Sequence, residues 1–265
     1  LCYVGFPCGA METNQVASAA SSPLVRDLRE INRIIRKVKK ERAIISLVRI
    51  TSPGLAIWND ASFGNRAGGK SQIGKVVGLY DASGKGVDGK PITEDGACLA
   101  NLILWQSNTL KRVVHSTRGA ETLSTVEGID GGLLLQFLYA EINGEWVPLV
   151  LFSDCQSMTS NLVKTVPPKE KSLGLAISEI KQFILNGNVV KHLKTDHQVA
   201  DALTKIFEYQ APKNKLRLLS ESNQVLGLWN SSTLRRRYKG AEQWKSKNRN
   251  FRRLYFVSYI ITTTK

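Results

Sequence analysis

The sequence has few cysteines and histidines, which limits the metal and redox chemistry that it can support. Its 265 residues include 4 cysteines and 3 histidines. The cysteines are scattered, with no CxxC pair and no matching histidine cluster, at Cys2, Cys8, Cys98 and Cys155. Structural zinc sites and disulfide frameworks depend on such spacings, so we expect neither. The composition fits a reducing compartment.

Long hydrophobic runs are also absent. No stretch approaches the roughly 18–20 apolar residues that span a bilayer. The first residues lack the basic and then apolar pattern of a signal peptide, so we expect no cleaved leader. The hydrophobic fraction of 42% is ordinary, and the length allows one domain with a sizeable core plus flanking segments.

Acidic residues are scarce outside the middle of the chain. Residues 43–210 hold 16 Lys/Arg and 16 Asp/Glu, whereas residues 24–42 hold 8 against 3 and residues 211–253 hold 12 against 2. The net charge of +15 therefore comes from the two flanks. A neutral body with basic flanks suggests a polyanionic partner such as nucleic acid. A solvated basic helix with a disordered basic tail is the alternative, and charge alone does not separate the two.

The two basic flanks differ in pattern. Pro23 suits the first position of a helix, and apolar residues follow at helical spacing. These are Leu24, Leu28, Ile31, Ile35 and Val38. The C-terminal flank mixes basic and aromatic residues, as at Arg235–Arg237 and Tyr238. Such a mixture can bind single strands by charge and stacking, but we favour a poorly ordered tail in which 254–263 is an exposed, β-prone segment.

Between the flanks, the apolar pattern predicts alternating strands and helices. The predicted strands are 55–62, 73–80, 97–105, 147–153 and 188–193. The predicted helices are 117–139, one beginning near Leu173 and ending at Asn186–Gly187, and a short one over 199–207. The resulting order, β-β-β-α-β-α-β-α, predicts an α/β fold with a mixed sheet covered by helices.

Four carboxylates fall where sites form in such sheets, at strand ends and at helix starts. They are Asp60, Glu121, Asp154 and Asp201. If they converged, they would repel one another strongly, and two Mg²⁺ ions would relieve that repulsion because magnesium prefers oxygen ligands. Two ions about 3.5–4 Å apart can activate a water molecule and stabilise the leaving oxygen of a phosphodiester, with no side chain as nucleophile. The spacing alone does not show that the four groups meet.

The residues around the first two carboxylates form motifs. Residues 58–64 read WNDASFG, and residues 71–74 read SQIG. They resemble the D-A-D-W-A-G … S-x-S-G signature of copia-type retrotransposons. Residues 105–107 read WQS and lead to KRVVHSTRGAE at 111–121. This stretch is similar to the W-x-S-K-K-Q … S-T-T-E-A-E motif of the same family, whose final Glu corresponds to Glu121.

The other two carboxylates also lie in motifs of that family. Residues 152–157 read FSDCQS, similar to D-N-Q-S-A, and residues 200–205 read ADALTK, which matches A-D-x-L-T-K. Four motifs thus occur in the right order over residues 57–206. The chain resembles the ribonuclease H domain of a copia-type LTR retrotransposon Pol polyprotein.

That resemblance implies a ribonuclease H-like fold, with a five-stranded mixed sheet (three antiparallel strands, then two parallel) flanked by helices. It implies cleavage of the RNA strand of RNA–DNA hybrids during reverse transcription. It also implies two Mg²⁺ ions, which Mn²⁺ can replace, on Asp60, Glu121, Asp154 and Asp201. The implied partners are the hybrid and the reverse transcriptase domain of the same polyprotein, with no membrane. The implied location is a cytoplasmic virus-like particle or the nucleus.

The resemblance also suggests domain boundaries. Residues 1–50 would be the end of the reverse transcriptase region or a connection segment that contains the basic helix. Residues 51–210 would form the ribonuclease H-like domain, and residues 211–265 a poorly ordered basic tail.

Two departures from the family pattern leave alternatives open. Cys155 stands where Asn is usual, and Gly119 where Glu is usual. Neither removes a carboxylate, but a decayed remnant that only binds nucleic acid would look the same. An integrase or transposase core would share the fold and the metal chemistry. Such cores follow the order Asp, Asp, Glu, whereas the order here is Asp, Glu, Asp, Asp.

Contacts to nucleic acid are predicted from polar and basic residues near the carboxylates. These are Ser62, Lys111, Arg112, Arg118, Gln156, Ser157 and His197. Many ribonucleases H carry a histidine on a mobile loop before the last carboxylate. His197 lies four residues before Asp201, although Thr195 is the closer match to that position.

Overall fold

A computed structural model describes residues 6–41, 44–93, 96–162, 173–205 and 210–228. The end of the short helix predicted to reach Phe207, the basic and aromatic tail around Arg235–Arg237, and the β-prone segment 254–263 lie outside the described residues. None of the described helices combines the length and the hydropathy needed to cross a bilayer.

One mixed sheet organises the described part of the chain. Its strands are β1 (Pro53–Ser62), β2 (Gln72–Asp81), β3 (Ala97–Thr109), β4 (Leu149–Ser153), β5 (Val189–His192) and β6 (Gln224–Leu226). Their order across the sheet is β5-β4-β1-β2-β3-β6. β1, β2 and β3 form an antiparallel meander. β4 runs parallel to β1, and β5 runs parallel to β4.

The first five strands confirm the predicted fold class, an α/β fold of the ribonuclease H-like type. Three antiparallel strands are followed by two parallel ones, and every predicted strand is present with small shifts at its ends. The sixth strand was not predicted. β6 pairs antiparallel with the first residues of β3, and its Val225 is buried opposite Cys98.

Helices cover the sheet. They are α1 (Ala10–Ala17), α2 (Val25–Glu41), α3 (Thr117–Asn143), α4 (Gln156–Leu162), α5 (Gly174–Leu185) and α6 (Gln210–Ser222). Short 3-10 helices cover Pro7–Gly9, Ala67–Gly69, Thr195–His197 and Val199–Leu203. The last of these replaces the first half of the predicted final helix. α6 and β6 show that the expectation of a poorly ordered tail from residue 211 is wrong for residues 211–228, because Leu216, Leu219 and Val225 are buried in the core.

α3 lies close against β1 because it carries glycines on the facing side. The side chain of Ser116 accepts a hydrogen bond from the amide of Gly119 at the start of the helix. A Cβ added at Gly132 would lie 2.2 Å from Cδ1 of Ile57, and one at Gly128 would lie 3.1 Å from Cγ2 of Ile57. The glycines that weakened the helical pattern therefore allow the helix to approach the sheet.

Segments before β1 pack on the same body. Phe6 and Met11 are buried, and α1 contacts β3 and the 3-10 helix at Val199–Leu203. Asn101 of β3 donates a hydrogen bond to the backbone oxygen of Val48 and accepts one from its amide, at 2.8 and 2.9 Å. The domain boundary at residue 50 remains a prediction, although residues on both sides of it contact the sheet.

The basic helix predicted from Pro23 is present as α2. It packs on α1, and Ile34 is its buried residue. Most of the predicted apolar stripe stays exposed, at Leu24, Leu28, Ile31 and Ile35. The face of α2 that packs on the rest of the protein is therefore different from the face that carries the predicted apolar residues.

We expect Gly132→Ala to destabilise the fold, although alanine favours helices more than glycine does. The new methyl group would overlap the fully buried Ile57, and overpacking of this kind costs about 1–3 kcal/mol. Thermal unfolding would measure the loss. Gly174→Ala is the control, since nothing lies within 4 Å of a Cβ there. Equal melting temperatures for Gly132→Ala and the unmodified protein would contradict the close approach.

Candidate metal centre

Three of the four predicted carboxylates converge at one edge of the paired strands β1 and β4. Asp60 lies near the end of β1, Asp154 directly follows β4, and Asp201 lies in the 3-10 helix Val199–Leu203. Each offers one oxygen, and these atoms all lie within 4.8 Å of one another. Asp60 and Asp201 are buried, whereas Asp154 is half-buried and open to solvent. The strand directions cause the convergence, because parallel β1 and β4 end at the same edge.

Glu121 is the fourth carboxylate and lies about one turn into α3. It is buried, and its Oε1 accepts a hydrogen bond from the amide of Ala61 at 3.2 Å. Its Oε2 is buried and has no hydrogen-bond partner among the described residues. Ser124, one turn further along α3, donates a hydrogen bond to the backbone oxygen of Asp60 at 2.8 Å. The helix is thereby fixed to the strand beside the carboxylates.

The electrostatics of the cluster favour protons or cations. Burial, together with the negative charge of Asp201, raises the pKa of Asp60 to about 7. Burial and the charges of Asp60 and Asp154 raise the pKa of Glu121 to about 9. Burial also raises the pKa of Asp201, against the opposing effect of Lys205 and Lys215. The metal-free carboxylates therefore hold protons that isolated ones would lose.

Hydroxyl and amide groups orient the carboxylates. Thr204 donates a hydrogen bond through Oγ1 to Oδ2 of Asp60. Thr195 donates one through Oγ1 to Oδ2 of Asp154 at 3.0 Å. Gln198 donates one to the backbone oxygen of Asn59 at 2.9 Å, which fixes the loop before Asp201 to β1. Each carboxylate oxygen held in this way keeps further lone pairs for another ligand.

Two lysines lie next to Asp201. Nζ of Lys205 is 3.6 Å from Oδ1, and Nζ of Lys215 is 3.5 Å from Oδ2. Burial lowers the pKa of Lys205, but the charges of Asp60, Asp201 and Asp154 outweigh burial and raise it. Both lysines thus offset part of the negative charge.

These residues fit a divalent cation. Magnesium takes oxygen ligands and keeps several waters, and the cluster offers oxygens only, beside the solvent-open Asp154. The buried Oε2 of Glu121 lacks a partner, and a buried carboxylate oxygen without one is costly. Burial and neighbouring negative charge raise the pKa of Asp60 and Glu121, and a bound cation would offset the negative charge.

The residues predicted to contact nucleic acid lie on several elements and loops, with different degrees of exposure. Ser62 is half-buried at the end of β1, and Arg118 is half-buried in the first turn of α3. The others on the surface, Lys111, Arg112, Gln156 and Ser157, are exposed. Their contacts with nucleic acid stay a prediction.

His197 packs against Gly227. A Cβ built on Gly227 would lie 2.1 Å from its Nδ1, so the ring rests against the backbone that follows β6. Gly227 has a φ of +71°, which also favours glycine there. Thr195, not His197, occupies the position beside Asp154. The ring nitrogen Nε2 of His192 lies 3.2 Å from the backbone oxygen of Asp154.

Sequence reasoning missed Thr204, Lys205 and Lys215 as members of the site. The first two belong to the ADALTK motif and could have been included from it. Lys215 lies beyond the motifs, in α6. The apolar spacing of Leu216 and Leu219 was the available signal that residues past 210 form a helix on the core.

Metal-free protein should lose stability as pH rises. The pKa of Asp60 is higher in the folded chain, about 7, than the ordinary value near 3.9, so folding binds a proton in that window. The stability that the proton on Asp60 contributes is fully present below about pH 4 and is lost as the pH rises to about 7. The proton on Glu121 contributes in the same way, and its contribution is lost as the pH rises to about 9.

We therefore expect Asp60→Asn to raise the Tm in EDTA at pH 8 by several degrees, at about 2–4 °C per kcal/mol, and to change it less at pH 5. Differential scanning fluorimetry across pH would measure this. Asp88→Asn, in the exposed loop after β2, is the control. A Tm gain of the same size at pH 5 and pH 8 would argue against repulsion in the cluster.

Among known proteins, the chain matches solved structures only. No protein-family model matches the chain, and no curated protein does. Solved structures of ribonuclease H domains do match, over little more than half of the chain. The N-terminal ribonuclease H domain of a Mycobacterium tuberculosis protein is 13% identical, with a TM-score of 0.39, and the match covers 58% of this chain and 91% of that one.

Two further structures match in the same way. LC11 ribonuclease H1 in complex with an RNA/DNA hybrid is 16% identical, with a TM-score of 0.39, over 56% of this chain and 92% of that one. The PFV ribonuclease H domain is 12% identical, with a TM-score of 0.36, over 58% and 91%. The strand order and directions described above carry the fold assignment: a ribonuclease H-like fold with acidic residues gathered at the edge of β1 and β4.

Proposed function

We propose that the chain is an endoribonuclease that hydrolyses the RNA strand of RNA–DNA hybrids by two-metal-ion catalysis. The observation that carries the proposal is the convergence of Asp60, Asp154 and Asp201 within 4.8 Å, with buried Glu121 beside them. These are the four carboxylates of the four motifs, in the order of the ribonuclease H family that they resemble.

The chemistry follows from what the residues can and cannot do. Water is proposed as the attacking group, because two metal ions can activate it without a nucleophilic side chain. Divalent ions held by these carboxylates would supply activation of that water and stabilisation of the leaving oxygen. The chain's own part is to fix the oxygens: Thr204 orients Asp60, Thr195 orients Asp154, and the amide of Ala61 orients Glu121.

The substrate class rests on the motifs. Their resemblance to copia-type retrotransposons supports an RNA–DNA hybrid made during reverse transcription, with the reverse transcriptase domain of the same polyprotein as partner. The exposed Lys111 and Arg112, before α3, are suited to phosphates. The half-buried Ser62 and Arg118 lie within three residues of Asp60 and Glu121 in the sequence and are proposed to contact the cleaved strand.

Asp154→Asn should abolish cleavage while leaving the fold intact. The half-buried carboxylate is a ligand in this proposal, and its amide keeps the acceptor for Thr195 but loses the charge. We expect a loss of at least about a hundredfold in cleavage of a labelled hybrid with Mg²⁺, on the order of 3 kcal/mol of transition-state stabilisation. Asp88→Asn, with the same chemical change at an exposed loop, should cleave normally.

The same assay distinguishes the alternatives. The RNA strand of the hybrid should be cut with Mg²⁺ or Mn²⁺ and not with EDTA, whereas RNA–RNA and DNA–DNA duplexes should stay intact. A folded protein that binds the hybrid without cutting it would support a decayed binding module. Full activity of Asp154→Asn would contradict the assignment of Asp154 as a metal ligand.

Replacing Lys111 and Arg112 together by Ala should weaken hybrid binding without changing the Tm. Two lost phosphate contacts would lower the slope of log K against log salt by about 2, uniformly across sequences. Fluorescence anisotropy in EDTA, where no cleavage occurs, would measure this. Lys85→Ala with Lys90→Ala, in the loop after β2, removes the same charge as a control. An unchanged salt slope would exclude these two residues from the interface.

A further inference from the structure

Asp201 differs from the other three carboxylates in what it contacts. Asp60 and Asp154 accept hydrogen bonds from threonine hydroxyls, and Glu121 accepts one from a backbone amide. In the described structure, both oxygens of Asp201 instead face ammonium groups, Lys205 at 3.6 Å from Oδ1 and Lys215 at 3.5 Å from Oδ2. The positive charge of an ammonium group beside each oxygen of Asp201 opposes the binding of a further cation to that carboxylate.

Lys215 is held in place by a rigid element. α6 packs against the 3-10 helix Val199–Leu203, and its Leu216 and Leu219 are fully buried. Nζ of Lys215 also donates a hydrogen bond to the backbone oxygen of Thr195 at 2.7 Å. Thr195 in turn holds Asp154. Lys215 therefore links two carboxylates of the centre from outside the region covered by the motifs.

We propose that Lys215 competes with divalent cations for Asp201 and gives way when nucleic acid binds. Without substrate, its ammonium neutralises Asp201 and weakens cation binding there. When a phosphate of the hybrid enters, the ammonium moves to the phosphate and leaves Asp201 free. This proposal rests on the proposed function, because it assigns a positioning residue to the same centre.

Elementary electrostatics support the exchange. A lysine is a compact positive charge on a flexible stem with three donors, and it pairs equally with carboxylates and phosphates. An ammonium and a divalent cation on one carboxylate would repel each other, by more in a buried site than in water. Because phosphate removes the ammonium from that competition, nucleic acid and metal should each strengthen the binding of the other.

Lys205 cannot make the same exchange as readily. It follows Asp201 by four residues on the same segment, and it interacts with Asp60 and Asp154 as well. Moving its ammonium group would remove positive charge from beside three carboxylates at once. Lys215 approaches from a separate helix, and its departure would break its ion pair with Asp201 and its hydrogen bond to the backbone oxygen of Thr195.

The first experiment measures Mn²⁺ binding to the full chain without nucleic acid, from the electron paramagnetic resonance signal of free Mn²⁺. We expect Lys215→Met to bind Mn²⁺ at least about fivefold more tightly than the unmodified protein, the lower end of typical coupling energies. Lys90→Met, in the exposed loop after β2, should match the unmodified protein. Lys215→Arg keeps the charge and should retain the weak binding.

The second experiment measures binding of an RNA–DNA hybrid in EDTA, by fluorescence anisotropy. Here Lys215→Met should bind several-fold more weakly, with a salt slope lower by about 1 for one lost phosphate contact. Lys215→Arg keeps the positive charge at residue 215, and Lys90→Met leaves that residue unchanged. Both variants should bind as the unmodified protein does. A merely structural defect would weaken metal and hybrid binding together, whereas competition predicts opposite changes.

The outcomes separate the two proposals. If the unmodified protein and Lys215→Met bind Mn²⁺ equally, the competition is overturned and the proposed function stands. If neither binds Mn²⁺, both are overturned. Tighter Mn²⁺ binding with unchanged hybrid affinity would also overturn the exchange, because the ammonium would then not reach a phosphate. Lys215→Gln replaces Lys215→Met if circular dichroism shows that the latter does not fold.

Discussion

The mutual repulsion of buried carboxylates is the constraint on which the rest of the structure depends. Asp60, Glu121 and Asp201 are all buried, and each has a raised pKa because burial and neighbouring negative charge disfavour ionisation. A chain gains no stability from such an arrangement, so packing elsewhere must hold it. The close approach of α3 to β1 and the parallel pairing of β1 with β4 provide that packing.

The surrounding groups reduce the repulsion without removing it. Neutral donors from Thr204, Thr195 and the amide of Ala61 each take one carboxylate oxygen. Both lysines form ion pairs with Asp201, and the charge of Lys205 also lowers the pKa of Asp60 and Glu121 without cancelling the effect of burial. Charge compensation is therefore uneven, and the side that holds Glu121 depends on protons or on a bound cation. A site of this kind is arranged for ligand binding rather than for stability.

Much of the fold could be predicted from the sequence, because the strands and long helices have clear apolar periods. The order and directions of β1 to β5 followed from that pattern and the family motifs. β6 was missed since three residues give no period, and α6 was missed since its apolar positions follow a basic, polar stretch. The 44–48 segment pairs with Asn101 through a side chain, which no strand pattern reveals.

In the candidate site, too, some residues could be predicted from the sequence and others could not. The four carboxylates could be named because each lies inside a motif, and the structure brings Asp60, Asp154 and Asp201 together. Thr195 beside Asp154 agrees with the family position better than His197 does. Lys215 could not be found, because its approach to Asp201 depends on how α6 packs over the 3-10 helix. Contacts made across the fold by a residue outside any motif are not visible in the sequence.

The position of α6 and β6 has a consequence for any shortened form of the protein. A fragment ending at residue 206, where the last motif ends, would uncover the surface on which Leu216 and Leu219 pack and leave residues Ala97–Leu99 of β3 without a partner strand. Unpaired edges and bare apolar surface promote self-association. Such a fragment would contain all four carboxylates of the candidate metal centre and still tend to aggregate. Its inactivity would therefore say nothing about the chemistry of the intact chain.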